Sequence, residues 1–271
     1  METINSDNFI ENYFSKEKPC VLNNFSEYWE CVNKWNYSFF QKNYPKLKVK
    51  YNNITQGKKK SKMSPPFAGE MLLVDFIDLL RRNEESEKRL FNFNLLQKCK
   101  ELKKDFLLDR KWIKGFYIGW KMLFFGAKGS KVRLHYDIDF CPNFLTQLEG
   151  TKTIWLFPAE QTKYLYKYPF SVHSPIDFKN TDDEKYPLFK KAIPQKFVIE
   201  KGDTLFIPPG WWHYIEYTSS GYGISIKTFP NNIKYLLKGI YNIIFVLTID
   251  SILHTLMPTI WDRFKNRKFQ S

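Results

Sequence analysis

A chain of 271 residues, 43% hydrophobic and 18% aromatic, has the apolar mass for one large domain with terminal additions, and this excludes global disorder. Its formal charge of +14 favours acidic partners such as nucleic acid, anionic surfaces or acidic proteins, but much of the excess is diffuse lysine, so charge alone does not establish nucleic-acid binding. Cys20, Cys31, Cys99 and Cys141 form no CxxC pair, which leaves a zinc knuckle unsupported, and residues 1–15 are polar and acidic without the apolar run of a signal peptide. The expectation is a reducing, intracellular setting, cytoplasmic or nuclear, with free thiols.

In chain order, Phe9, Ile10, Tyr13 and Phe14 recur at helical spacing and predict a short amphipathic helix over 7–17. Lys18-Pro19-Cys20-Val21-Leu22 reads as a brief strand, and Trp29 and Trp35 fall in aromatic segments suited to core packing. Residues 42–62 are the most basic stretch, with Lys42, Lys46, Lys48, Lys50, Lys58, Lys59, Lys60 and Lys62. Leu47, Val49 and Tyr51 alternate with lysines as in a half-exposed strand; 56–62 reads as a loop, either a solvated hairpin tip, which is the favoured reading, or a phosphate-contacting loop. Leu73, Phe76, Ile77 and Leu80 give the apolar stripe of a helix over 71–82. Residues 89–112 read as helical in part, with Leu96, Leu102, Phe106 and Leu107 as core candidates.

From residue 116 the pattern changes to short strands: 116–125, 131–140, 143–149 and 151–157, the last two joined by a tight turn at Gly150. Residues 159–194 are loop-rich, with Pro169, Pro175, Pro187 and Pro194, and such a long insertion is usually functional or disordered. Strands over 197–200, 204–207, 212–217 and 222–229 complete a sandwich or barrel. The tail, 231–269, is helical in pattern: Leu236, Leu237, Ile240, Ile244 and Leu247 line one helix, and Ile252, Leu253, Leu256, Ile260 and Trp261 follow. Its uncharged run, 239–249, is short of the roughly 20 apolar residues that span a bilayer, and Asp250, His254 and Pro258 would be costly there. The tail therefore predicts a buried or dimer-forming helix pair over 231–261; membrane association is the lesser alternative, as an interfacial anchor.

Two stretches carry the chemistry. Val132-Arg133-Leu134-His135-Tyr136-Asp137 ends in His-x-Asp, and Gly202-Asp203-Thr204-Leu205-Phe206-Ile207-Pro208-Pro209-Gly210-Trp211-Trp212-His213 supplies a second histidine at a strand-like end. Residues i and i+2 of a strand share a face, so His135 and Asp137 can aim inward together and His213 can join them from a neighbouring strand. Two imidazoles and one carboxylate form a facial triad that holds Fe(II) and leaves coordination positions open, although zinc or manganese suits the same ligands. His173 and His254 read as structural or exposed.

These runs, with Asn143 to Lys152, Trp155-Leu156-Phe157-Pro158, Tyr164-Leu165-Tyr166 and Lys185 to Phe189, resemble the JmjC, cupin-like Fe(II)- and 2-oxoglutarate-dependent oxygenases. In particular they resemble the small hydroxylase branch, which includes the asparaginyl hydroxylase of the hypoxia-inducible factor and the tRNA wybutosine hydroxylase. The resemblance covers most of residues 8–230. It implies a mainly β fold with flanking helices: a double-stranded β-helix (jelly-roll) barrel over about 116–230, N-terminal α/β elements, and a C-terminal helical extension over 231–271. It further implies that His135, Asp137 and His213 are the iron ligands and that Lys152 pairs with the distal carboxylate of 2-oxoglutarate. Asn143 corresponds to a polar residue near that co-substrate. The implied activity is hydroxylation, less readily demethylation, of a protein or tRNA substrate, with succinate and CO2 as co-products; residues 42–62 and 159–194 are the candidate substrate contacts.

The chain also departs from the pattern. Val132 stands where relatives often carry Thr, and Phe91 where the asparaginyl hydroxylase has Tyr, so two hydroxyls are missing. The segment between Asp137 and Asn143 is longer, and Lys227 replaces a common amide, from where it could serve as a second carboxylate partner. The departures leave open a catalytically inactive, metal-binding interaction module, or a cupin-type enzyme that uses another metal without 2-oxoglutarate.

Overall fold

A computed structural model describes residues 4–53, 63, 67–93, 95–106, 110–112 and 117–267; Gln56–Lys62, Leu107 and the side chain of Phe91 lie outside what is described. Among the described residues, twelve strands run β1 (Cys20–Leu22), β2 (Lys48–Asn53), β3 (Gly69–Leu72), β4 (Lys88–Phe93), β5 (Tyr117–Gly126), β6 (Lys131–His135), β7 (Asn143–Glu149), β8 (Lys152–Phe157), β9 (Gln195–Ile199), β10 (Thr204–Ile207), β11 (Trp212–Tyr217) and β12 (Gly221–Thr228). They form an antiparallel sheet of eight in the order β1-β10-β7-β12-β5-β4-β2-β3 and one of four in the order β6-β11-β8-β9. Among the described residues the two sheets are not joined by strand pairing; the jelly-roll interior lies between their facing sides.

Strand alternation sorts the side chains into layers. Leu145, Leu205 and Ile207 of the large sheet meet Ile154, Leu156, Ile199 and Ile215 of the small sheet in the interior. On the outer side of the large sheet, Phe144, Phe206, Tyr222, Ile224 and Ile226 pack against the N-terminal helices. The helix over Ser6–Phe9 runs on as a wider turn through Phe14 and inserts Phe9 edge-on against Phe206 at 5.1 Å, while Phe25 stacks on Phe144 at 4.9 Å. The stripe Leu73, Phe76, Ile77 and Leu80 is wholly buried, although the helix begins at Leu73 because Gly69–Leu72 is drawn into pairing with β2. All four cysteines are buried and free.

One expectation changes: residues 88–93 are a strand, pairing with β2 and β5, and only short turns of helix follow. Asn143–Glu149 and Lys152–Phe157 are consecutive strands joined by a tight turn, as expected, and belong to opposite sheets. Gly150, at φ +72°, turns the chain from one sheet to the other, and a Cβ there would overlap the carbonyl of Ser220. The 159–194 insertion is a packed layer over the outer side of the small sheet, where Phe178 and Phe189 cover Phe157, Trp155 and Tyr214.

The tail is a continuous helix, Ile233–Leu256, then a second, Pro258–Arg267. The first exceeds the uncharged eleven-residue run: its 24 residues include an 18-residue stretch of mean hydropathy 1.7, long and apolar enough to cross a membrane. Its polar residues nonetheless tie it to the domain. Asn242 donates to the Ile138 carbonyl at 3.1 Å, and buried Asp250 accepts from Trp261 and Lys265 and sits beside His254. The opposite side is exposed and apolar, including Leu237, Ile240, Ile244 and Phe245.

Candidate metal centre

The site is built on β6 and β11. These strands pair with His135 directly opposite His213; the register then slips so that Ile215 faces Val132. This bulge lets Val132 and His135, three positions apart, both serve the interior, which strict alternation forbids. The imidazole centroids of His135 and His213 lie 4.1 Å apart. Asp137 stands two residues beyond the end of β6, on the segment leading to β7, so it reaches the pair from a loop. Ligand atoms of His135, Asp137 and His213 all lie within 4.8 Å of one another, close enough to share one cation.

The donor set fits a metal ion in its tautomers as well as its spacing. His135 Nδ1 is 2.7 Å from the Arg133 carbonyl and His213 Nδ1 is 3.2 Å from that of Trp211. Both Nδ1–H groups are thus assigned as donors to backbone, which leaves each Nε2 lone pair for the metal. Burial and the neighbouring His213 push His135 down to about 3, and burial also lowers His213, so both rings are neutral ligands at ordinary pH. Burial alone would raise Asp137, but Lys227 and the two histidines hold it well below the usual carboxylate range. Its Oδ2 accepts from Asn143 Nδ2 at 2.9 Å and from Lys227 Nζ at 3.1 Å, while Oδ1 stands 4.0 Å from His213 Nε2.

Lys152 occupies the first position of β8, inside the fold, 1% exposed. Among the described residues no carboxylate pairs with it; its ammonium lies over the Tyr217 ring at 4.6 Å, and burial lowers it to about 7. A buried ammonium without an anion is costly, so this position is suited to an anionic ligand. Gly223 stands against it: a Cβ there would lie 3.1 Å from Lys152 Nζ and 2.9 Å from Gln147 Oε1, a buried oxygen with no hydrogen-bond donor. The polar groups at Lys152 therefore fit a carboxylate co-substrate.

The other expected residues fall as follows. Asn143 is at the site but turns its amide to Asp137 and its Oδ1 to Ser225 at 2.7 Å. Lys227 also points inward, and its ammonium is held by Asp137 and by both oxygens of Asp139 at 3.0 and 2.8 Å. Val132 packs on the interior cluster and adds no hydroxyl.

Sequence reasoning missed His173 and Asp139. His173 lies on the insertion, bridges β6 at His135, and stacks its ring on that ligand at 5.3 Å and 13°. Burial, with Arg133, His135, Lys265 and Arg89 nearby, holds it neutral. A period-two pattern does run through Val172-His173-Ser174, but nothing in it specifies pairing with β6. His254 is structural, buried between Asp250 and Asp262.

Comparison with known proteins places this geometry in context. The cupin-like domain family matches residues 6–232. Lysine-specific demethylase 8 of Xenopus tropicalis is 26% identical over 231 residues, which is 81% of this chain and 50% of the relative. Human HSPB1-associated protein 1 is 35% identical over 125 residues, 43% of this chain and 25% of the relative. The tRNA wybutosine-synthesizing protein 5 of Gallus gallus is 26% identical over 249 residues, 84% of this chain and 75% of the relative. The chain thus spans about half the length of the lysine-specific demethylases it matches.

Proposed function

Because the chain belongs to the cupin-like domain family, we propose that it is an Fe(II)- and 2-oxoglutarate-dependent oxygenase that hydroxylates a protein or tRNA substrate. The observation that carries this reading is the combination of an intact His135, Asp137 and His213 triad with the anion-seeking Lys152 on the same interior. When bound, iron and 2-oxoglutarate supply the oxidising chemistry, with O2 as oxidant and succinate and CO2 as co-products. His135 and His213 offer neutral Nε2 donors and Asp137 the single negative charge. Lys152 binds and orients the far carboxylate by charge and shape, while Ile154, Leu156 and Ile215 keep that end of the cavity dry. Hydroxylation is preferred over demethylation, and likeness to the wybutosine protein over three quarters of its length, together with the +14 charge, supports the tRNA side.

The test is succinate release from 2-oxoglutarate with Fe(II), in the presence of total tRNA or of a cell protein extract. The wild type releases succinate and His135→Ala does not. Bound iron without release in either mixture would favour the inactive interaction module.

We also propose a homodimer through 231–261, supported by the exposed Leu237, Ile240, Ile244 and Phe245, which share an apolar face of the first tail helix.

A further inference from the structure

Asp139 lies on the segment between Asp137 and Asn143, and Lys227 lies on β12. Lys227 Nζ reaches Asp137 Oδ2 at 3.1 Å and Asp139 at 2.8 and 3.0 Å, across 88 residues of sequence. Asp139 is itself seated: Cys141 N–H donates to its Oδ1 at 3.2 Å, and its backbone rests against Gly239 of the C-terminal helix, where a Cβ would overlap the Asp139 carbonyl. Asn242, one turn further along the helix, holds the preceding carbonyl, that of Ile138.

We infer that Lys227 and Asp139 form a charge-neutral strut that fixes Asp137 as a one-oxygen metal ligand. Two donors, Asn143 and Lys227, occupy Oδ2, which leaves Oδ1, the oxygen nearer His213, for the cation. A lone ammonium this close to a divalent ion would repel it through a medium of low dielectric. Asp139 cancels that charge, so the lysine orients Asp137 without driving the metal out. A neutral amide could donate to Oδ2 with no such companion; a lysine could not. Lys227 is a positioning residue in this account, since it acts through Asp137, and the inference rests on the metal reading proposed above.

The experiment is Mn(II) binding by titration calorimetry, with melting temperatures, for the wild type, Asp139→Asn, Lys227→Met and the double variant. Asp139→Asn leaves an uncancelled cation beside the site and weakens Mn(II) by about tenfold or more. Lys227→Met leaves an extra carboxylate and tightens it severalfold. The double variant, neutral again, binds more tightly than Asp139→Asn but stays below the wild type, because Asp137 Oδ2 keeps only the Asn143 donor. Weakening in every variant in proportion to lost melting temperature would overturn the strut and leave an ordinary structural ion pair; so would unchanged affinity in both single variants. Failure of the wild type to bind Mn(II) would instead overturn the metal reading itself.

Discussion

At the scale of single residues, Lys152 makes the sharpest demands. Its ammonium is buried without an anion among the described residues, so Lys152→Met should stabilise the ligand-free protein, on the order of 1–3 kcal/mol, and raise its melting temperature. The same variant should lose the melting-temperature rise that an oxoglutarate analogue gives the wild type. A variant that is less stable and still responds to the analogue would place the carboxylate elsewhere. The pH dependence has a definite sign. Burial lowers Lys152 to about 7, so above that pH the ligand-free lysine is neutral, whereas a bound carboxylate requires the ammonium. Analogue binding at pH 8 should therefore take up a proton, read by calorimetry in two buffers of different ionisation enthalpy. Affinity should fall with rising pH above about 7, by up to about tenfold per unit. The inward direction of His135 is legible from strand parity, whereas Lys152 is legible only through the family resemblance. The engagement of Lys227 is not, because period-two alternation gives a direction and says nothing of the partner that waits there.

Among the elements, the β6 bulge and the C-terminal helix position the metal ligands. The bulge sets His135 opposite His213, and the helix seats the loop that carries Asp137. Gly239→Ala forces a Cβ into the Asp139 carbonyl, a form of overpacking that costs about 1–3 kcal/mol. Because the displaced backbone is that of Asp139, the substitution should also weaken Mn(II) binding, although Gly239 touches no metal ligand; unchanged affinity would show that the helix does not support the site. The sequence is a good guide to elements with a strong period, such as the stripe of Leu73 to Leu80. It is a poor guide to where a strand goes next. The tight turn between Asn143–Glu149 and Lys152–Phe157 is legible, but only the three-dimensional path at Gly150 shows that the two strands go to opposite sheets. Residues 88–93 fail for a related reason: their strand exists through pairing with β2 and β5, and such tertiary pairing overrides local propensity.

For the whole molecule, fold class and family are legible because two distant motifs and the short-strand pattern agree. The placement of the 159–194 insertion is not, since its aromatic residues have meaning only against the outer side of the small sheet. The tail poses the remaining question at this scale. Ile240→Glu with Ile244→Glu changes exposed positions, so the fold should lose little stability, but light scattering should show a dimer become a monomer. A wild-type monomer would refute the dimer, and co-sedimentation of that monomer with anionic vesicles would assign the face to a membrane surface. The central claim is that one cavity holds both a metal and a carboxylate co-substrate. A crystal structure of the protein with Mn(II) and an oxoglutarate analogue tests it most directly. The account predicts Mn(II) on His135 Nε2, His213 Nε2 and one oxygen of Asp137, with the far carboxylate of the analogue in ion-pair contact with Lys152. A metal bound by other residues, or an analogue whose carboxylate leaves Lys152 unpaired, would contradict it.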